Sequence, residues 1–314
     1  MKRRGYYKLR IPEINLCGKN LLKLKEQEIP LSGFLIHISH YDPVWCPLKS
    51  KEKPFDLDSA LKVVDAMSKI GMNMLVIDIA DGVRYKSHPE LARKYSVPIS
   101  NLKKLADYAR SKNIEVIPKL NFSQSSHSQH NHWFRPHHEL FDNKEYWKLA
   151  FEVIDEIIKA CGPVKYFHVG MDEDHSRAYS QYIDAIIQLR NGLKKRGLQT
   201  IIWNDSAYWH LAKAVIYAEK SVAAEKKIPK DIIHILWDYN RLQPGIIRRI
   251  VKQGFQVWVA PGANPERILK WKEILLHYKQ KGMLMTIWIP CRKSNCSKVI
   301  KYIKTVGPLF TGKY

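Results

Sequence analysis

The sequence predicts an α/β fold, a single (β/α)8 TIM barrel in which eight parallel strands close on themselves inside a ring of helices. Three observations carry this prediction. Short apolar runs alternate with longer amphipathic segments along nearly the whole chain, as repeated βα units do. Eight such runs are present, and eight units in 314 residues match a closed barrel, which leaves no strand edge to protect, better than a doubly wound sheet. No linker or low-complexity stretch divides the chain, so one domain over 31–314 is expected, preceded by a short N-terminal extension over 1–30.

The strands are expected, in order, at FLIHIS (34–39), MLVIDI (74–79), EVIPKL (115–120), KYFHVG (165–170), QTIIW (199–203), IIHILW (232–237), QVWVA (256–260) and LMTIWI (284–289). Each precedes a helix candidate. Asp58 is placed to cap a helix that ends at Gly71, and Asn143 one that ends at Gly162. Asn264, followed by Pro265 at the first helical position, is placed to cap one that ends at Gly282. Helical spacing of Trp147, Phe151, Ile154 and Ile158 agrees. The connection 121–142, NFSQSSHSQHNHWFRPHHELFD, is long for a βα loop and rich in His and aromatic residues. A barrel places its site at the carboxyl ends of the strands, so this connection is expected to wall the substrate cleft.

Composition narrows the class. The basic start of the chain is not followed by an apolar stretch of signal-peptide length, and no later segment is apolar over a membrane-spanning length. A cytoplasmic protein without a membrane partner is expected. The five cysteines lack a paired CxxC, so no disulfide framework or structural zinc is signalled, although Cys291 and Cys296 are close enough in sequence to bond in an oxidising compartment. The formal charge of +22 attracts polyanions. Its scatter over segments such as KLRNGLKKRG and IIRRIVKQG reads as solvated helix faces and argues against nucleic acid as the partner.

The segment richest in chemistry is Tyr166-Phe167-His168-Val169-Gly170-Met171-Asp172-Glu173-Asp174-His175, at the end of the fourth strand. Cleaving a glycosidic bond needs an acid to protonate the leaving oxygen and a second group to stabilise the cation that develops opposite. An Asp-Glu pair at a strand end supplies both. A helix N-terminus compensated by three acids is the plainer alternative. Trp203, Trp237, Trp258 and Trp288 lie at or near strand ends, where indole faces can stack on pyranose C–H groups. Asp205, Asp238 and Tyr239 set hydrogen-bonding groups beside them.

His168-Val169-Gly170-Met171-Asp172-Glu173 resembles the His-x-Gly-Gly-Asp-Glu signature of the family 20 glycoside hydrolases, the β-N-acetylhexosaminidases, with Met171 in place of the second glycine. Asp81-Gly82-Val83-Arg84 resembles the family's Asp-x-Gly-x-Arg region, and VIPKLNFSQSSH its Ile-Pro-Glu-Ile-Asp-x-Pro-Gly-His segment, so the resemblance covers roughly residues 33 to 290. It implies a retaining hydrolase of glycans containing N-acetylhexosamine, with no cofactor and no metal. Asp172 would orient the substrate's 2-acetamido group, whose carbonyl oxygen attacks the anomeric carbon, and Glu173 would be general acid and then base. Asp81 and His127 would form a relay to Glu173, with His130 as an alternative to His127. His168, Trp203, Asp205, Trp237, Asp238, Tyr239, Trp258 and Trp288 would bind substrate. The family's clamping arginine is Ser32 here, its Tyr-x-Asp after strand seven is absent, and so is its accessory N-terminal domain. Two other readings remain: a barrel that binds glycans or polyanions without turnover, and a metal-dependent hydrolase using some of His37, His40, Asp78, His127, His130, His132, His168 and His175.

Overall fold

The computed structural model describes residues 19–39, 52–124, 132–134, 137, 141–210 and 215–313. Eight parallel strands close in chain order: β1 (Leu31–His37), β2 (Met74–Asp78), β3 (Glu115–Lys119), β4 (Tyr166–His168), β5 (Gln199–Asn204), β6 (Ile233–Trp237), β7 (Gln256–Ala260) and β8 (Gly282–Met285), which pairs back to β1. Helix α1 (Lys19–Glu26) precedes the barrel. After each strand in turn comes one long helix: α2 (Leu57–Lys69), α3 (Ile99–Ser111), α4 (Lys144–Cys161), α5 (Tyr179–Lys195), α6 (Val215–Glu225), α7 (Pro244–Lys252), α8 (Pro265–His277) and α9 (Lys293–Val306). A short α10 (Pro308–Thr311) closes the order, and a two-residue ladder joins Val83–Arg84 to Val97–Pro98.

Strands alternate between two buried environments. Leu35, Val76, Ile117, Ile201, Ile235 and Leu284 fill the barrel interior, while Phe34, Ile36, Leu75, Ile77 and Val257 pack outward against the helices. β1 starts three residues before the expected run and β8 two before, because Ser32, Gly33 and Gly282 are ladder residues that an apolar-run reading passes over. Ser32 faces the helical layer, where its Oγ donates to Phe310 O (3.1 Å). Gly282 is required by its neighbour, since a Cβ there would sit 2.3 Å from the Trp258 ring.

Asn143 caps α4 through Tyr146 N–H (2.8 Å), and Gly162 ends that helix at φ +74. Asn264 with Pro265 starts α8 as expected. Two expectations shift. Asp56, not Asp58, caps α2, accepting from Ser59 N–H (2.7 Å). α8 stops at His277, with Lys279 in the left-handed region, which frees Gly282 for β8. The α4 stripe is also rotated from the expected one: Tyr146, Ala150, Val153, Ile157 and Cys161 are buried with Trp147 and Ile154, whereas Phe151 and Ile158 are half-buried. Cys161, Cys291 and Cys296 are free thiols, and Cys17 and Cys46 lie outside the described residues. Among the described residues no helix is long and apolar enough to cross a membrane.

α1 is tied to the barrel by Lys272 of α8, a buried ammonium that donates to Leu24 O and Lys25 O (3.3 and 3.4 Å) in the last turn of α1. Burial pulls this amine from an ordinary 10.5 down to about 8. The unfolded chain therefore keeps a proton that the folded chain releases first. That cost is fully present below pH 8 and is relieved as pH rises from about 8 to 10.5, a gain of about 3 kcal/mol. Lys272→Met is expected to remove this rise, read as unfolding free energy by denaturant at both ends of the window; equal pH slopes in the two proteins would refute the assignment.

Candidate active site

The turn after β4 is built on Asn121, two residues beyond β3. Its side-chain oxygen accepts from Met171 N–H and Ser123 N–H (3.1 Å each), and its amide donates to Asp172 Oδ1 (2.7 Å). Its backbone carbonyl accepts from Trp133 Nε1 (2.9 Å). Gly170, Met171 and Glu173 all take positive φ (72°, 75° and 52°), which coils the chain sharply at this point. At Gly170 a side chain is excluded, because a Cβ would lie 2.1 Å from Asn121 Oδ1. Met171 bears the left-handed conformation at a cost of about 1–2 kcal/mol. Its surroundings hold it there: Asn121 takes its N–H, Tyr182 OH donates to its carbonyl (2.9 Å), and its side chain is buried.

This coil delivers Asp172 and Glu173 to the mouth. Glu173 N–H donates to Asp205 Oδ2 (2.7 Å), and Trp237 Nε1 donates to Asp205 Oδ1 (2.7 Å). Burial, and then the charge of Asp172, push the Asp205 carboxyl well above the usual carboxylate range. A contiguous aromatic wall follows. Tyr208 packs on Trp237 (centroids 4.1 Å apart), Trp237 on Tyr239 (5.7 Å), Tyr239 on Trp288 (6.5 Å), Trp288 on Trp203 (6.4 Å) and Trp203 on His168 (4.8 Å). Trp237 and Trp288 are half-buried, leaving part of each indole open to solvent.

Below the mouth the strand register places His37, Asp78, Lys119 and His168 side by side on β1 to β4. All four are buried. Lys119 Nζ donates to Asp78 Oδ2 (2.7 Å), and His37 Nδ1 lies 3.1 Å from the same oxygen. Burial alone would raise the Asp78 carboxyl, but Lys119 and His37 outweigh it and hold it below the usual range. Burial, then Lys119, keeps the His168 imidazole neutral, and Gly170 N–H donates to its Nδ1 (3.0 Å), so its proton is assigned to Nε2.

Behind the pair, Asp174 is buried between Arg177 Nη1 (2.8 Å) and Lys220 Nζ (3.3 Å). Arg177 also grips both carboxylate oxygens of Asp142 (2.7 and 2.8 Å) and donates to Phe122 O (2.9 Å). Asp174 is thereby fixed as an anchor of the turn.

Of the residues expected to form the site, Asp172, Glu173, Asp205, Trp203, Trp237, Tyr239 and Trp288 come together, with His168 buried against Trp203. Three expectations are corrected. Trp258 is fully buried at the opposite end of the barrel, packed on Tyr166 and Gly282 at the starts of β4 and β8, because it lies mid-strand rather than at a carboxyl end. Asp238 follows the inward-facing Trp237 and so turns outward, where it accepts from Asn240 N–H, Arg241 N–H and Gln243 Nε2 and organises its own loop. Trp133 of the long connection is wholly buried beside Phe122 and Phe134 and offers no face to a cleft. Asp81 is buried and accepts from Ser39 Oγ (2.8 Å) and Tyr95 OH (2.6 Å), while His127 and His130 lie outside the described residues.

Sequence reasoning missed Asn121, Tyr182, Arg177 and Lys220. Arg177 had a signal, a lone cation in an acidic turn, and so did Lys119, a charge in the otherwise apolar VIPKL.

No protein-family model matches the sequence, and no curated protein sequence matches it. Solved structures do. The family 20 β-N-acetylhexosaminidase of Streptomyces coelicolor A3(2) superposes with TM-score 0.66 at 14% identity, over 90% of this chain and 64% of that chain. A mutant β-hexosaminidase of Streptomyces plicatus, solved with its product GlcNAc, gives TM-score 0.65 at 13% identity over 90% and 64%. Dispersin B gives 0.57 at 17% identity over 91% of this chain and 99% of its own. The chain thus spans just under two thirds of the two Streptomyces enzymes. Its closed barrel, with the Asp172-Glu173 turn at the end of β4, has the fold of the family 20 glycoside hydrolase barrels.

Proposed function

We propose that the chain is a retaining glycosidase that removes β-linked N-acetylhexosamine by substrate-assisted catalysis. The observation that carries this reading is the coil after β4, which sets Asp172 and Glu173 beside the Asp205–Trp237 pair and an aromatic wall. In this scheme Glu173 protonates the glycosidic oxygen while the 2-acetamido carbonyl oxygen attacks C1. The bond to the leaving group breaks and an oxazolinium forms. Asp172, oriented by Asn121, supplies the negative charge that offsets the positive charge growing on the acetamido nitrogen. Glu173 then takes a proton from the water that attacks C1, and configuration is retained. Trp237, Trp288 and Tyr239 stack on the sugar, backed by the buried Trp203, with Asp81 and His127 as the relay to Glu173.

The fold and the seated pair support the reading over a binding barrel without turnover, and one assay divides the two. An aryl β-N-acetylglucosaminide or galactosaminide is expected to be cleaved and the matching plain β-glucoside to be left intact, because water does not replace the missing acetamido nucleophile. Efficient release of phenol from the glucoside, or from neither sugar, would reject it.

A further inference from the structure

A second polar cluster shares no residue with the site above. His88 and Glu90 lie on the connection between β2 and α3, and His137 on the connection between β3 and α4. His88 Nδ1, a Glu90 carboxylate oxygen and His137 Nε2 all lie within 4.8 Å of one another. The two imidazole nitrogens approach the same oxygen, Oε1 of Glu90, at 2.9 and 2.8 Å. His88 is buried, and its other nitrogen, Nε2, is 2.9 Å from Glu152 of α4.

Both ring nitrogens of His88 thus face carboxylates. A neutral imidazole carries one N–H and satisfies only one of them. A cation in place of the second proton resolves this: Nδ1 of His88, Nε2 of His137 and Glu90 become ligands, and Nε2–H of His88 donates to Glu152. Histidine ligands commonly give their second N–H to a carboxylate in this way, which fixes the tautomer. Two imidazoles and one carboxylate suit zinc, whose bonds of about 2.0–2.1 Å set tetrahedral ligand atoms about 3.3 Å apart. The two His–Glu90 contacts would open by a few tenths of an ångström, and the two imidazole nitrogens, within 4.8 Å of each other, would close toward the same spacing. The fourth position would hold water.

We propose that His88, Glu90 and His137 form a zinc site that clamps the connection after β3 to the connection after β2. His137 packs edge-on against Phe134 (5.1 Å), which packs on Phe122 and Tyr146, so the metal would fasten the aromatic cluster that covers the end of β3. The site stands whether or not the glycosidase reading holds.

The test uses the full chain, stripped with chelator and desalted, then titrated with zinc by calorimetry and with cobalt(II) by visible absorption. One equivalent is expected, with the intense bands of tetrahedral cobalt. His137→Ala and Glu90→Gln should each abolish the bands while keeping the thermal transition of the metal-free protein. Glu152→Gln should keep the one-to-one stoichiometry and weaken binding on the order of tenfold to a hundredfold. No saturable binding by the stripped protein, or bands unchanged in either ligand variant, would overturn the proposal.

Discussion

Glutamine in place of Glu173 is expected to slow turnover of an aryl β-N-acetylhexosaminide on the order of a hundredfold to ten-thousandfold, with the largest loss for poor leaving groups. A phenolate that leaves without protonation escapes part of this loss, so a plot of log kcat/KM against leaving-group pKa should steepen in the variant. Asp172→Asn should behave differently. Its amide oxygen can still accept from Asn121, but the charge that meets the acetamido nitrogen is gone, a term of a few kcal/mol that applies to every leaving group alike. The two variants therefore separate by slope, not only by rate. A Glu173→Gln protein with parental kinetics would assign the proton transfer to another group.

The largest expected effect on stability is at Arg177. Its guanidinium is fully buried and holds Asp142, Asp174 and Phe122 O together, so Arg177→Met removes the cation paired with Asp142 and one of the two beside the buried Asp174. Removing one partner of a buried ion pair costs about 3–5 kcal/mol, which in a domain of this size lowers Tm on the order of 10 °C. Arg190→Met is the matched control. Arg190 pairs with the exposed Asp231 on the surface, and its loss should cost under about 1 kcal/mol. Differential scanning calorimetry of both variants checks this, and equal shifts would mean that the buried network contributes no more than a surface pair.

The barrel was legible because its signal is local. An apolar run before each amphipathic helix is visible in a window of a dozen residues, and Asn143 and Asn264 mark helix starts by chemistry confined to one turn. The turn carrying Asp172 and Glu173 was legible as a candidate because three acids closely follow an apolar strand. What failed needed register or direction. Trp258 is one strand residue among five, and only its pairing with Gly282 reveals which end of the barrel it occupies. Asp238 follows a site residue but faces away from it. Asn121 serves the site through three hydrogen bonds to residues 50 or 51 positions away or close beside it, a convergence that no spacing in the sequence displays.

Trp258 on Gly282 and Tyr166, beneath the packed interior of Leu35, Val76, Ile117, Ile201, Ile235 and Leu284, leaves the barrel axis closed. With the far end of the barrel filled by an indole, whatever reaches Asp172 arrives and departs through the same opening. A polymer can present a terminus or a bend to that floor, but it cannot be threaded along the barrel axis and advanced unit by unit.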